Sequence, residues 1–170
     1  MKYVVDTSAF LAGSKYDVYE KQYFQTYWEN FDKLINSGII VSTESVYDEL
    51  IVKDDEMAEW AKTNKNMFKE IDGNILEYGN FLSKEFPTWY KIGTTKENWA
   101  DPEVIAYAKL NNMILVTQEA WNSNAKADKK IKIPTICSQI GAYCHIRDKY
   151  DENINNHKSF QCIDLLELIK

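Results

Sequence analysis

Four acidic residues stand where carboxylates do chemistry in α/β proteins. Asp6 closes the short apolar run Tyr3-Val4-Val5 and is followed by Thr7-Ser8, while Glu49 falls in Ser45-Val46-Tyr47-Asp48-Glu49-Leu50. Asp101 opens Asp101-Pro102-Glu103-Val104-Ile105-Ala106, and Glu119 ends Ile114-Leu115-Val116-Thr117-Gln118-Glu119. Each lies just after a strand-like run or on a neighbouring helix, so the four are expected at one sheet edge, where α/β folds bind ligands. Carboxylates gathered there repel one another unless a positive charge sits between them. A hard divalent cation, Mg²⁺ or Mn²⁺, meets that need. It takes oxygen ligands, keeps several waters and is held by a few carboxylates together with substrate phosphates, which points to phosphoryl chemistry.

The same residues have plainer readings. A strand-end Asp also caps the helix that follows it, and Asp101-Pro102 has the form of an N-cap followed by Pro at the first helical position. That form explains Asp101 without any metal. Thr7 and Thr117 read either as hydroxyls orienting the neighbouring acids or as ordinary strand-end threonines.

The elements that must position these acids alternate between strand and helix. After the Tyr3-Val4-Val5 strand, Phe24, Tyr27, Trp28, Phe31, Leu34 and Ile35 recur at helical spacing, and Gly38 stops the helix before the strand-like Ile39-Ile40-Val41. Thr43 can cap a helix on which Val46 and Leu50 share a buried face, with Glu49 on its rim. Residues 54–86 read as a helical insertion or pair, with Met57 and Trp60 in one part and Met67, Phe68, Ile71, Ile75, Tyr78 and Leu82 in the next; Trp60 and Phe68 are assigned to packing. Residues 87–98 read as a loop in which Trp89-Tyr90 with Lys91 offers a base-stacking surface. A helix from Asp101 to Asn111-Asn112 then precedes a Met113–Val116 strand, with Glu119 just beyond it. Ile131 to Cys144 holds a helix after Pro134 and a weak strand, and a short helix covers Ile163 to Ile169. The fold class expected is α/β: a three-layer α/β/α sandwich around a central parallel sheet.

At 170 residues and 45% hydrophobic, the chain can bury a sizeable core, and a single domain spanning 1–170 is expected. No basic segment followed by an apolar stretch opens the sequence and no apolar run approaches membrane-spanning length, so a cytoplasmic location and no membrane partner are expected. Three cysteines, Cys137, Cys144 and Cys162, form an odd set whose spacing, even with His145, matches no compact zinc pattern. They read as core or surface thiols of a reducing compartment. The net charge of −6 argues against a general nucleic-acid binder, although Lys126, Lys129, Lys130 and Lys132 form a local basic stretch that is either a solvated loop or a phosphate-contacting rim. His145 and His157 stand outside the four-acid set.

Assembled, these pieces resemble the PIN domain family of nucleases and are similar to an uncharacterised group of bacterial PIN-like proteins. The resemblance rests on Val5-Asp6-Thr7-Ser8, Glu49-Leu50, Ala100-Asp101-Pro102 with Ile105-Ala106, and Val116-Thr117-Gln118-Glu119, in that order, and reaches to about residue 145. It implies a PIN-like α/β/α domain whose acids, Asp6, Glu49, Asp101 and Glu119, bind Mg²⁺ or Mn²⁺ and act as the catalytic site of an endoribonuclease. It also implies an RNA substrate and brings in the toxin components of toxin–antitoxin systems, hence an antitoxin protein or a homodimer as assemblies. Two departures stand out: the fourth acid is Glu119 where the family commonly has Asp, and the aromatic helical region between Glu49 and Asp101 exceeds what a minimal toxin needs.

Rival classes fare worse on the residues present. A receiver-type phosphoacceptor needs an acidic pair near its N-terminus, and a haloacid-dehalogenase phosphatase needs Asp-x-Asp, whereas Asp6-Thr7-Ser8 has no second Asp. The alternative that stands is a non-catalytic PIN-like module binding RNA or a protein partner, with Asp101 serving only as a cap.

Overall fold

The structure, a computed structural model, describes residues 1–15, 17–53, 55–87, 89, 99–120, 131–144 and 160–169. Chain order runs β1 (Tyr3–Val5), α1 (Thr7–Leu11), α2 (Gln25–Asn36), β2 (Ile40–Thr43), α3 (Glu44–Ile51), α4 (Glu56–Thr63), a 3₁₀ turn (Lys65–Met67) and β3 (Phe68–Lys69). It continues with α5 (Gly73–Glu85), α6 (Asp101–Leu110), β4 (Ile114–Val116), α7 (Ile133–Gln139), β5 (Tyr143–Cys144), β6 (Gln161–Ile163) and α8 (Leu165–Leu168).

The strands are short and apolar, and those at the centre are covered on both faces, as parallel sheets require. Val4, Val5, Leu115 and Val116 are fully buried. Among the described residues the sheet has six strands in the order β3-β2-β1-β4-β6-β5, every pairing parallel. Right-handed crossovers put the connections through α1 to α4 on one face and those through α5 to α7 on the other. Accordingly α3 contacts α1 and α4, while α6 contacts α5 and α7. The result is the three-layer α/β sandwich that the alternating pattern predicts.

The helices follow their apolar stripes. Tyr27, Trp28, Phe31 and Ile35 form the buried face of α2, and Gly38, with φ at +68°, takes the left-handed turn that ends it and feeds Ile40 into β2. Trp60 and Phe68 pack as expected, their rings 5.3 and 6.1 Å from Phe10.

The structure corrects three of the expected elements. The 54–86 segment is not simply a helical pair: a 3₁₀ turn and β3 separate α4 from α5, with Phe68 and Lys69 paired to Ser42 and Thr43. The carboxylate of Asp72 accepts from Ile75 N at 2.9 Å and so starts α5 only at Gly73, leaving Phe68 free to extend. At the C-terminus, Gln161–Ile163 forms β6 between β4 and β5, and Asp164 caps a shorter final helix through Glu167 N at 2.9 Å. The helix read after Pro134 includes that proline and begins before it, at Ile133.

Among the described residues, no helix is long and apolar enough to cross a membrane. The Tyr90-Lys91 half of the stacking surface, Lys126, Lys129, Lys130, His145 and His157 lie outside the described residues.

Candidate metal centre

The sheet order puts β1 beside β4 at the point where the connections diverge, the crevice in which open parallel sheets bind ligands. Asp6 follows the last residue of β1, and its N–H donates to Val116 O at 2.9 Å, so it stands at the mouth of that crevice. Asp6 is 2% exposed. Oδ2 accepts from Ser8 N at 3.2 Å, Ser8 Oγ at 2.6 Å and Thr117 Oγ1 at 3.1 Å. The two hydroxyls in turn accept Gln118 N at 3.0 Å and Glu119 N at 3.2 Å, so each gives its one proton to Asp6 and is oriented by backbone beyond β4. Asp6 caps α1 through Ser8 N, as its plainer reading expects, but with Oδ2 alone. Among the described residues, no donor reaches its buried Oδ1. Burial, opposed by the Ser8 hydroxyl bond and reinforced by the charge of Glu119, raises Asp6 from the ordinary 3.8 to about 6.

Helix α6 runs antiparallel to β4, which brings its first residue, Asp101, back to the same edge. Asp101 is not the N-cap that Asp-Pro suggested. Ala100 holds that position, with φ at −81° and no side-chain cap bond, and Asp101 is the first residue inside the helix. Capping therefore leaves its carboxylate unexplained. Burial, then the charges of Asp6 and Glu119, push Asp101 well above the usual carboxylate range; a hydrogen bond from the Trp99 side chain opposes this and Glu49 adds to it. Asp101 thus lies in the fields of the other three acids.

Glu49 projects from the rim of α3, as its place beside buried Val46 and Leu50 requires. Its Oε1 accepts Ala100 N at 3.0 Å and its Oε2 accepts the Thr7 hydroxyl. One carboxylate thus ties α3 to the residue after Asp6 and to the residue before Asp101. Glu119, just past β4, is engaged at both oxygens: Oε1 by Lys132 Nζ at 2.6 Å and Oε2 by Ile133 N at 2.8 Å. Of the basic stretch, the described member, Lys132, faces a site acid.

Among the described residues, no three acids, histidines or cysteines form a preformed ligand shell. Both oxygens of Glu49 and of Glu119 are turned to protein donors. The chemistry of the donor set nevertheless suits a hard divalent ion: oxygen ligands throughout, a carboxylate oxygen of Asp6 with no donor among the described residues, and two carboxyls raised first by burial and then by neighbouring acid charge. Cys137, Cys144 and Cys162 are buried free thiols, and burial pushes Cys137 above its ordinary pKa, as inert core cysteines behave.

Thr7 and Thr117 act as the hydroxyl supports that their positions suggest. Sequence reasoning missed Ser8, the Ala100 and Ile133 amides, and Trp99, whose ring packs edge-on against Trp89 at 4.6 Å. That contact turns Trp89 toward the support of Asp101. The signal for Ser8 was its place two residues after Asp6, where an N-cap carboxylate takes a backbone N–H.

A sequence profile for a family described as a domain of unknown function (DUF4411) matches residues 3–148, a span that includes all four acids. No curated protein matches the chain.

Proposed function

The chain belongs to the DUF4411 family, and from its site we propose that it is a Mg²⁺- or Mn²⁺-dependent endoribonuclease of PIN-like type. One observation carries the reading: Asp6 and Asp101 arrive from β1 and α6 at the switch-point crevice, each raised by burial and by the charge of Glu119, and no helix cap accounts for Asp101. Both keep internal hydrogen bonds, Asp6 from Ser8 and Thr117 and Asp101 from Trp99, yet both also feel the charge of Glu119. A divalent cation bound there supplies Lewis-acid chemistry, acidifying water and offsetting charge on a phosphodiester.

The protein's own groups divide the remaining work. Asp6 and Asp101 hold the ion, Ser8 and Thr117 fix Asp6 by its Oδ2 so that Oδ1 is presented, and Glu49 holds the α3, α1 and α6 termini in register. Glu119 completes the set from beyond β4. No histidine is required. The toxin role and an antitoxin partner extend the same reading, supported by the PIN resemblance alone, and the identity of the adjacent gene tests them.

The test of activity is divalent-dependent cleavage of single-stranded RNA, followed by gel, for the wild type, Asp6→Asn and Asp101→Asn. Cleavage with Mg²⁺ or Mn²⁺ that chelator stops, and that falls by at least about a hundredfold in both variants, is the expected result. Equal cleavage in all three overturns it. The internal satisfaction of Glu49 and Glu119 favours the second reading, a non-catalytic module binding RNA or a protein partner; RNA binding without cleavage in any divalent ion would establish that module.

A further inference from the structure

Lys132 is, among the described residues, the one cation in contact with any of the four acids. Its Nζ lies 2.6 Å from Glu119 Oε1, and the pair is asymmetric: the lysine side chain is 50% exposed and the glutamate 15%. The ammonium therefore reaches in from solvent to an enclosed carboxylate. Asp101 and Asp6 stand behind Glu119 and act on the same charge.

The anchoring of this contact is one-sided. The backbone of Lys132 is fixed, its carbonyl accepting Thr135 N at 2.9 Å and Ile136 N at 3.1 Å as α7 begins. Its side chain makes no cap bond to α7, so the long flexible stem is held at its tip by Glu119. Glu119 has a second hold, Ile133 N, which survives if the lysine leaves. A half-exposed ion pair of this kind is worth little, and a divalent ion competes for the same oxygen with twice the charge.

We propose that Lys132 is a resident cation that a divalent metal displaces from Glu119, and that the displaced ammonium, swung outward, takes a phosphate of the incoming RNA. This rests on the metal-dependent nuclease reading. In the metal-free protein, Lys132 offsets part of the charge of four clustered carboxylates and keeps the acids from an open, repelling arrangement. When the ion draws in Glu119, the same side chain becomes a point-charge phosphate contact at the rim. Metal loading and substrate capture are thereby coupled through one lysine.

Lysine footprinting with an amine-reactive ester, read by peptide mass spectrometry on the full chain, tests the exchange. Lys62 serves as the internal reference, since it is a comparably exposed lysine paired with Glu59 at 2.7 Å on α4. Mn²⁺ binding is measured in parallel by calorimetry on the wild type and on Asp6→Asn. The expected result is Mn²⁺ binding by the wild type, a rise of about twofold or more in Lys132 labelling with Lys62 unchanged, and no rise in Asp6→Asn. Mn²⁺ binding without a rise at Lys132 overturns the exchange while leaving the metal centre standing. No Mn²⁺ binding in the wild type overturns the metal centre, and the exchange with it.

The phosphate role is read separately in Lys132→Gln and Lys132→Arg, using Mn²⁺-loaded protein and a labelled single-stranded RNA with non-hydrolysable linkages. Loss of one contact in Lys132→Gln lowers the salt dependence of log K by about 0.7, and Lys132→Arg restores it. A wild-type salt slope in Lys132→Gln overturns the phosphate contact.

Discussion

The Thr117 hydroxyl, just past the end of β4, lies 3.1 Å from Asp6 Oδ2, just past the end of β1. Two adjacent strands therefore meet in one hydrogen bond at the mouth of the crevice. Thr117→Val removes that donor while keeping the shape of the side chain. A charge-assisted bond from a supporting group is worth about tenfold or more in metal affinity or activity. Cleavage in Mg²⁺ is expected to fall about tenfold, with the acidic limb of its pH profile moved upward. An unchanged profile would detach Thr117 from the site.

The raised pKa of Asp6 gives the metal-free protein a pH signature. With the folded value at about 6 and the unfolded value at 3.8, the folded state holds the proton more tightly. The associated stability is full below about pH 4 and is lost as pH rises through about 6, an effect of roughly 3 kcal/mol. Urea unfolding in chelator should show this loss in the wild type and not in Asp6→Asn. Excess Mg²⁺, which binds the ionised form, should reduce it. A difference between the two proteins that does not vary between pH 4 and 7 would contradict the assigned environment.

The place of Asp101 inside α6, and not at its cap, separates two accounts of one residue. If its carboxylate capped the helix, Asp101→Ala would cost about 1 kcal/mol. Crowding by Asp6 and Glu119 predicts instead that the metal-free variant loses no stability at neutral pH, while the stabilisation added by Mg²⁺ disappears. Thermal melts with and without Mg²⁺ measure both. A lowered melting temperature in chelator together with a full Mg²⁺ response would restore the cap.

What the sequence disclosed follows the reach of its signals. β1, β2 and β4 are apolar runs bounded by polar residues, and α2 carries its stripe over three turns, so both periods were readable. Phe68-Lys69 is two residues long and flanked by residues of helical spacing, so only its pairing with Ser42 and Thr43 makes it a strand. Gln161–Ile163 is three residues long with only Asp164 between it and α8, so Ile163 reads as the start of the helix and Gln161 and Cys162 carry no signal of their own. The acids were legible because each sits at an element boundary. Their satisfaction was not, because the partners are distant in the chain: Thr7 for Glu49, Thr117 for Asp6, Ala100 for Glu49, Ile133 for Glu119. The Asp-Pro signal was misplaced by one residue, and that residue decides whether Asp101 is a cap or a first helical residue whose carboxylate turns to Trp99.

The central claim is that Asp6 and Asp101 share a divalent ion. Its most direct test is a crystal structure grown in Mn²⁺, with the metal located by anomalous scattering. The predicted result is a peak within coordination distance, about 2.1 Å, of an Asp6 and an Asp101 carboxylate oxygen, with Glu119 drawn toward it. A map in which both aspartates keep their metal-free surroundings and the manganese lies elsewhere, or nowhere, would contradict it.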